Sequence, residues 1–422
     1  MAKLTIKDVN LSGKRVFVRV DYNVPIEEKE GRMVVTDLTR IRETLPTLNH
    51  LIGQGARLIL AAHLGRPKGK REPSMSLAPV AAELAGLLGR RVQFVDDCVG
   101  KEVRETALSL KEGEVLLLEN VRYHAEEEAN DPAFAAALAE GAEAYVNDAF
   151  GSAHRAHAST EGVARLVAQR GGPCLAGLLM ERELKFLGEE LEAPARPFVV
   201  ILGGAKVSDK IMVIDRLLEK ADTILIGGAM AYTLRLAQGH KTGRSLVEAD
   251  KVDVAKAALE KAKARKVPFL LPVDDVVAVP VKTGQLDKKG KPIVDYQNIR
   301  VNADLDCPAD AAGLDIGPAT VKAYAAAVAK AKTILWNGPM GLFEDKRFAA
   351  GTIGIAQAVA SATQSGATSI IGGGDSVKAL NKAKLGDRVT FMSTGGGASL
   401  EFLEGRGLPG VAALADKPAV AG

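Results

Sequence analysis

In the first half of the chain, basic residues recur where short apolar runs give way to polar sequence. Residues 16–20 lead into Asp21 and Asn23, with Arg19 two positions earlier, and residues 58–62 lead into His63, Gly65 and Arg66. Residues 115–118 lead into Glu119, Arg122 and His124, and residues 144–146 into Asn147, Asp148, Arg155 and His157. Arg40 follows Asp37 at the start of a helical pattern. Arg19, Asp21 and Asn23 stand two apart, which on an extended strand puts them on one face. Guanidinium forks match carboxylate and phosphate, and clustered arginines repel one another unless an anion lies among them. The group therefore reads as a receptor for a small, multiply charged anion. For any one arginine alone, a pair with a surface acid is the competing reading. His124 and His157 also read as packed or solvent-facing, and their spacing lacks a zinc pattern.

The second half places glycine at the same kind of position. Apolar runs lead into Gly203-Gly204-Ala205-Lys206, Gly227-Gly228, Asn337-Gly338-Pro339, Gly372-Gly373-Gly374-Asp375-Ser376 and Ser393-Thr394-Gly395-Gly396-Gly397. Ligands of open parallel sheets bind at the carboxyl ends of the strands. Glycine there lets backbone approach phosphate oxygens, and the helix starts that follow offer N–H groups. Lys206 and Lys210, four apart, are expected on one face of a helix start, within reach of a polyphosphate. Asp375 suits Mg²⁺, which takes one or two carboxylates beside phosphate oxygens and water. A helix cap is the competing role for Asp375 and Ser376. Glu344 suits a ribose contact or a plain surface position. Neither G-x-x-x-x-G-K-[ST] nor G-x-G-x-x-G with its distant acid is present, against a P-loop ATPase and a dinucleotide-dependent dehydrogenase.

The elements that must position these residues alternate between short apolar strands and helical patterns. Strands are expected at 16–20, 58–62, 92–95, 115–118 and 144–146, then at 198–202, 223–226, 268–271, 333–336, 369–371 and 389–392. Helices are expected at 40–51, 77–88 and 132–140. Uninterrupted apolar strands between helices mean parallel sheets covered on both faces. The expected fold is therefore α/β, with two doubly wound, Rossmann-like lobes. An exposed, charged helix at 180–191, broken by Glu192-Ala-Pro-Ala-Arg-Pro, reads as a linker. Residues 281–306, with Lys288-Lys289-Gly290-Lys291, read as a hairpin or excursion whose basic loop is a solvated surface.

Composition narrows the class. The 422 residues allow two or three domains, and 47% apolar with 25% charged is a globular balance. A net charge of +3 argues against a bulk nucleic-acid binder. Cys98, Cys174 and Cys307, odd in number and far apart, read as buried free thiols in a reducing compartment. No apolar run suits a signal peptide or a spanning helix, so cytoplasmic residence without a membrane partner is expected.

These motifs closely resemble phosphoglycerate kinase, over essentially the whole chain. The resemblance rests on Arg19-Val-Asp21-Tyr-Asn23-Val-Pro25, His63-Leu-Gly-Arg66-Pro67, Glu119-Asn-Val-Arg122, Asn147-Asp148 through Arg155, Gly203-Gly-Ala-Lys206 through Lys210, Trp336-Asn-Gly-Pro339 through Glu344, and Gly372-Gly-Gly-Asp375-Ser376. It implies reversible transfer between 1,3-bisphosphoglycerate and ADP, giving 3-phosphoglycerate and ATP with Mg²⁺, by direct in-line displacement with domain closure. It implies a phosphoglycerate lobe at 1–179, a hinge at 180–197, a nucleotide lobe at 198–396, and a segment at 397–422 returning to the first lobe. Phosphoglycerate would be held by Arg19, Asp21, Asn23, Arg40, His63, Gly65, Arg66, Arg122 and Arg155. The nucleotide would be held by Gly204, Ala205, Lys206, Lys210, Gly228, Gly313, Asn337, Pro339, Glu344, Gly373, Gly374, Asp375 and Ser376, with Asp375 on the metal. Arg40, Lys206, Gly396 and Gly397 would act in catalysis, in a monomer. The rivals are a kinase for another carboxylate and a non-catalytic polyanion binder on the same scaffold; a dehydrogenase is the weakest.

Overall fold

The computed structural model describes residues 2–286, 290 and 292–418. Contacts divide the chain into two units, one running to Lys185 and resuming at Arg406, the other spanning Phe186–Gly405. In the first unit the strands are β1 (Arg15–Val20), β2 (Ile26–Lys29), β3 (Arg32–Val35), β4 (Arg57–Ala61), β5 (Val92–Phe94), β6 (Val115–Leu117), β7 (Ala144–Asp148) and β8 (Cys174–Ala176). Six of them form a sheet in the order β5-β6-β4-β1-β7-β8, every pairing parallel. Strands such as Val-Leu-Leu of β6 are buried on both faces because helices cover both. On one face, Val16, Val18, Leu58, Leu60 and Leu117 meet Leu48, Leu51, Val80 and Leu84 from helices Thr39–Gly53 and Ala78–Leu88. The β2–β3 hairpin and the three-residue β8 were not foreseen from the sequence.

The second unit contains β9 (Phe198–Leu202), β10 (Thr223–Ile226), β11 (Phe269–Leu270), β12 (Asp275–Leu286), β13 (Pro292–Asn302), β14 (Ala312–Ile316), β15 (Thr333–Asn337), β16 (Thr368–Gly372) and β17 (Phe391–Met392). Its six-stranded sheet, β11-β10-β9-β15-β16-β17, is again wholly parallel. Trp336, Ile334 and Ile201 pack there against Tyr324, Val328, Ile355 and Val359. A separate antiparallel sheet, β13-β12-β14, holds the expected excursion as a long hairpin that starts before residue 281. Of its basic loop, Lys288, Lys289 and Lys291 lie outside the described residues.

The helix expected at 180–191 is not an exposed one. Helix Leu178–Leu184 continues through a π-turn at Lys185–Glu189 into Glu190–Glu192, and Met180, Glu183, Leu187 and Leu191 are buried. Those positions recur at helical spacing, so one face is packed and only the other carries the exposed charge. All three cysteines are free and buried. No helix among the described residues is long and apolar enough to cross a membrane.

Candidate active site

Because each main sheet is parallel throughout, all its strands end on one edge, and most of the sequence-predicted residues lie in the turns there; Arg40 stands in helix Thr39–Gly53 and Gly313 in β14 of the antiparallel sheet. In the first unit the turn after β4 carries His63, Gly65 and Arg66. Asn120, a residue to which sequence reasoning assigned no role, holds that turn in place. Its amide donates to the Leu64 carbonyl at 2.8 Å and the Met75 carbonyl at 2.9 Å, while its oxygen accepts from Arg122 N at 3.1 Å. Glu119 in turn accepts from Ser76 Oγ at 2.6 Å and Leu77 N at 2.8 Å. Asn23 Oδ1 accepts from Gly65 N at 2.9 Å, and Arg122 donates to the Gly65 carbonyl at 3.1 Å.

A cavity of about 230 Å³ results, lined by Asn23, His63, Gly65, Arg66, Arg122 and Arg155, with His154, which precedes Arg155 in the same strand-end pattern, and with Ser152, a member not foreseen. Arg66 and Arg155 are exposed. Arg122 is largely buried, and burial together with Arg19 and Arg155 pushes its guanidinium below its ordinary range. Glu128, paired with Arg122 at 3.3 Å, and the buried Glu127 work against that shift. Asp21 and Arg40 form an ion pair with each other.

Arg19 departs from the expected arrangement. Strand alternation put it beside Asp21 and Asn23, but the chain has left the strand by Asp21, and Arg19 is fully buried within β1. Its guanidinium bonds Ser159, the Val20 carbonyl and His63. His157 is buried too, and burial beside Arg122 and Arg19 lowers its pKa to about 4. His124 bonds Asp97 at 2.8 Å and stacks obliquely on Phe134. Among the described residues the one His/Cys/Asp/Glu group of metal-ligating closeness is Asp97, Cys98 and His124, whose thiol burial pushes well above its ordinary pKa.

In the second unit the glycine-rich turns divide into two kinds. A β-carbon on Gly203 would strike the Pro339 carbonyl, and one on Gly228 would lie 2.5 Å from Gly204 N. These glycines let neighbouring turns pack on each other, so connection geometry explains them. Gly374, Gly396 and Gly397 face open space. Gly396 has φ +54°, a backbone that favours glycine, just before helix Gly397–Leu403. The Gly395 N–H is already bonded to Ser393 Oγ at 3.1 Å.

A cavity of about 680 Å³ brings together Gly204, Ala205, Gly228, Gly313, Pro339, Glu344 and Asp375. Its apolar wall includes Pro280, Val294 and Tyr296 from β12 and β13, so the strands of the excursion, to which sequence reasoning assigned no role, line the cavity. Lys206, Lys210, Asn337, Gly373, Gly374 and Ser376 lie off that lining. Lys206 and Lys210 do not share a helix face, because the helix begins only at Ile211; both belong to the preceding loop. Lys206 is exposed, whereas Lys210 is buried and bonded to Asn337 Oδ1, its pKa lowered to about 8 by burial. Ser376 Oγ accepts from Gly338 N at 2.7 Å, tying two turns together. Gly373 caps helix Gly374–Lys382, so Asp375 is not the cap; it lies in the first turn, exposed, 3.0 Å from Lys378. A half-exposed carboxylate on the cavity wall suits Mg²⁺, which needs only one or two such ligands.

The family model for phosphoglycerate kinase matches residues 6–406. Phosphoglycerate kinase of Koribacter versatilis is 56% identical, covering 99% of this chain and all of that protein. That of Chlorobium chlorochromatii is 52% identical, covering 98% of this chain and all of that protein. The solved phosphoglycerate kinase of Coxiella burnetii superposes with a TM-score of 0.82 at 40% identity, covering 97% of this chain and 98% of the other. That of Pyrococcus horikoshii gives 0.78 at 34% identity, with the same coverage. By sequence and by fold this chain belongs to the phosphoglycerate kinase family, the glycolytic kinases that pass a phosphoryl group between 1,3-bisphosphoglycerate and ADP.

Proposed function

We propose that the two cavities divide the family's reaction between them. The arginine-lined cavity takes 3-phosphoglycerate or 1,3-bisphosphoglycerate: Arg66, Arg122, Arg155 and His63 bind its charged oxygens, and Asp21 and Asn23 its hydroxyl and acyl end. The larger cavity takes ADP or ATP. Gly228, Gly313 and Pro339 meet the adenine and ribose, Glu344 the ribose hydroxyls, and Gly204 and Ala205 the phosphate side, while Lys206, Lys210, Asn337, Gly373, Gly374 and Ser376 act on the phosphates from the turns beyond the lining. Mg²⁺ held through Asp375 would neutralise phosphate oxygens and orient them.

The observation that carries the reading is the convergence of His63 and three arginines on one cavity at the carboxyl edge of a parallel sheet. Glu128 pairs with Arg122 alone, and the exposed guanidinium forks of Arg66 and Arg155 match carboxylate and phosphate oxygens. The attacking carboxylate is ionised at neutral pH, so no general base is required. Catalysis then reduces to in-line positioning and charge neutralisation by Arg40, Lys206 and the helix start at Gly396 and Gly397. Transfer requires the acid and the nucleotide end to end, so the units close on one another with the helical stretch 178–192 as hinge, excluding water from the acyl phosphate. We place this chemistry in the cytoplasm, in a monomer.

The test is direct. Purified protein given ATP, Mg²⁺ and 3-phosphoglycerate should form ADP in a coupled assay, and other carboxylates should not replace the phosphorylated one. ADP formation with acetate or aspartate at a comparable rate would overturn the substrate assignment.

A further inference from the structure

We infer that Arg19 is a positioning residue that selects the tautomer of His63, holding the ring proton on Nε2 so that the imidazole enters the anion cavity as a neutral hydrogen-bond donor. The inference deepens the proposed function and rests on its reading that His63 faces the substrate.

The geometry is a chain of buried groups behind the cavity. Glu127, fully buried, accepts two bonds from Ser159: from its hydroxyl at 2.6 Å and from its backbone N–H at 2.9 Å. The Ser159 oxygen accepts from Arg19 Nε at 2.8 Å, and Arg19 NH2 lies 2.9 Å from His63 Nδ1. Ser159 is itself anchored, its carbonyl accepting from Tyr145 Oη at 3.0 Å. The Val20 carbonyl takes a further Arg19 N–H, which leaves the guanidinium no freedom to turn.

Chemistry then decides the ring. A guanidinium only donates and stays protonated in proteins, so Nδ1 must accept. A neutral imidazole carries one N–H, which therefore lies on Nε2. Protonation at Nδ1 would set N–H against N–H, and burial, followed by the charges of Arg19, Arg122 and Arg40, opposes it. The other tautomer would turn a lone pair towards an anion. A neutral donor instead binds the anion without adding to the arginines' mutual repulsion. Glu127 and Ser159 thus act at two removes: they hold Arg19, and Arg19 holds His63.

The experiment uses full-length, ¹⁵N-labelled enzyme, with His63→Asn to assign the ring among the six histidines. Long-range ¹H–¹⁵N spectra of the unliganded protein should show His63 as the neutral Nε2–H form. Arg19→Met should mix the tautomers or let the ring titrate near its ordinary pKa, and Arg19→Lys should restore the Nε2–H form. Ser159→Ala, which leaves Arg19 in place but loosens it, should shift the tautomer in the same sense and covers the case that Arg19→Met does not fold. Either disruption should raise KM for 3-phosphoglycerate about tenfold, the scale of one hydrogen bond to a charged group, with KM for the nucleotide unchanged. An unchanged Nε2–H spectrum in the variants, or Nδ1–H in the parent, overturns the inference. A shifted tautomer with unchanged KM would uphold the relay and overturn the placement of His63 against the substrate.

Discussion

Lys206 and Lys210 carry the same charge in the same loop, yet their surroundings give them different physics. Lys206 is exposed, so Lys206→Ala should leave the melting temperature unchanged while kcat falls by about 100-fold or more, the scale of one preorganised donor lost from a transition state. Lys210 is buried and already titrates at about 8. Phosphate oxygens beside it would favour the ammonium, so its pKa should rise on binding. ADP binding should then take up a proton around pH 8 and weaken as pH climbs through that value, since the free enzyme must first be protonated. Calorimetry in two buffers of different ionisation enthalpy reads the uptake directly, and Lys210→Met should abolish it. Both lysines were legible as candidates, but their setting was not. Ser208, between them, is held by Glu248 through bonds of 3.0 and 2.6 Å, and a partner forty positions away leaves no local pattern. Arg19 was legible for the same reason and misplaced for the same reason, since its partners lie at Ser159 and His63.

Strands and helices with long apolar runs were legible because burial on both faces leaves no polar residue to interrupt them. The elements that escaped are those whose stability comes from their neighbours. β8 is three residues long, and β14 carries a glycine and Asp315 inside a strand. The start of helix Leu178–Leu184 is a further case, resting on Asp148 at the end of β7. The carboxylate accepts from Leu179 N at 2.9 Å and Met180 N at 3.1 Å, and a side chain on Gly177 would collide with it. Burial pushes the Asp148 pKa up to about 7. A carboxyl raised above its unfolded value stabilises the fold at low pH, and that contribution is lost as pH rises through about 7. Asp148→Asn keeps the accepting oxygen and removes the titration. The variant should therefore lose less stability than the parent between pH 5 and pH 8, by about 2 kcal/mol in urea unfolding of the first unit. An identical pH slope in both proteins would show that Asp148 does not titrate in that window.

At the scale of the whole chain, the first unit is discontinuous, and its last segment is built into its sheet edge rather than appended to it. Ala415 N donates to the Cys174 carbonyl at 2.9 Å, and Leu4 N donates to the Ala415 carbonyl at 2.8 Å. Gly410 N donates to the Ala153 carbonyl at 2.9 Å, beside the loop that carries Arg155, and Lys3 pairs with Asp416 at 2.8 Å. Leu408, Val411 and Leu414 are buried. Burying a side chain of this size contributes about 1.5–3 kcal/mol, so losing three removes about 6 kcal/mol, a large share of the 5–15 kcal/mol typical of a whole domain. The second unit, Phe186–Gly405, has its own core around Trp336. A chain ending at Gly405 should therefore unfold in two separated calorimetric steps. The step belonging to the first unit should move to much lower temperature or disappear, and 3-phosphoglycerate should no longer raise it. The other step should stay in place and still rise with ADP, because a ligand that binds only the folded form stabilises it by mass action. If both steps were lowered together, the segment would be serving the second unit as well, and the division at Gly405 would not be an energetic one.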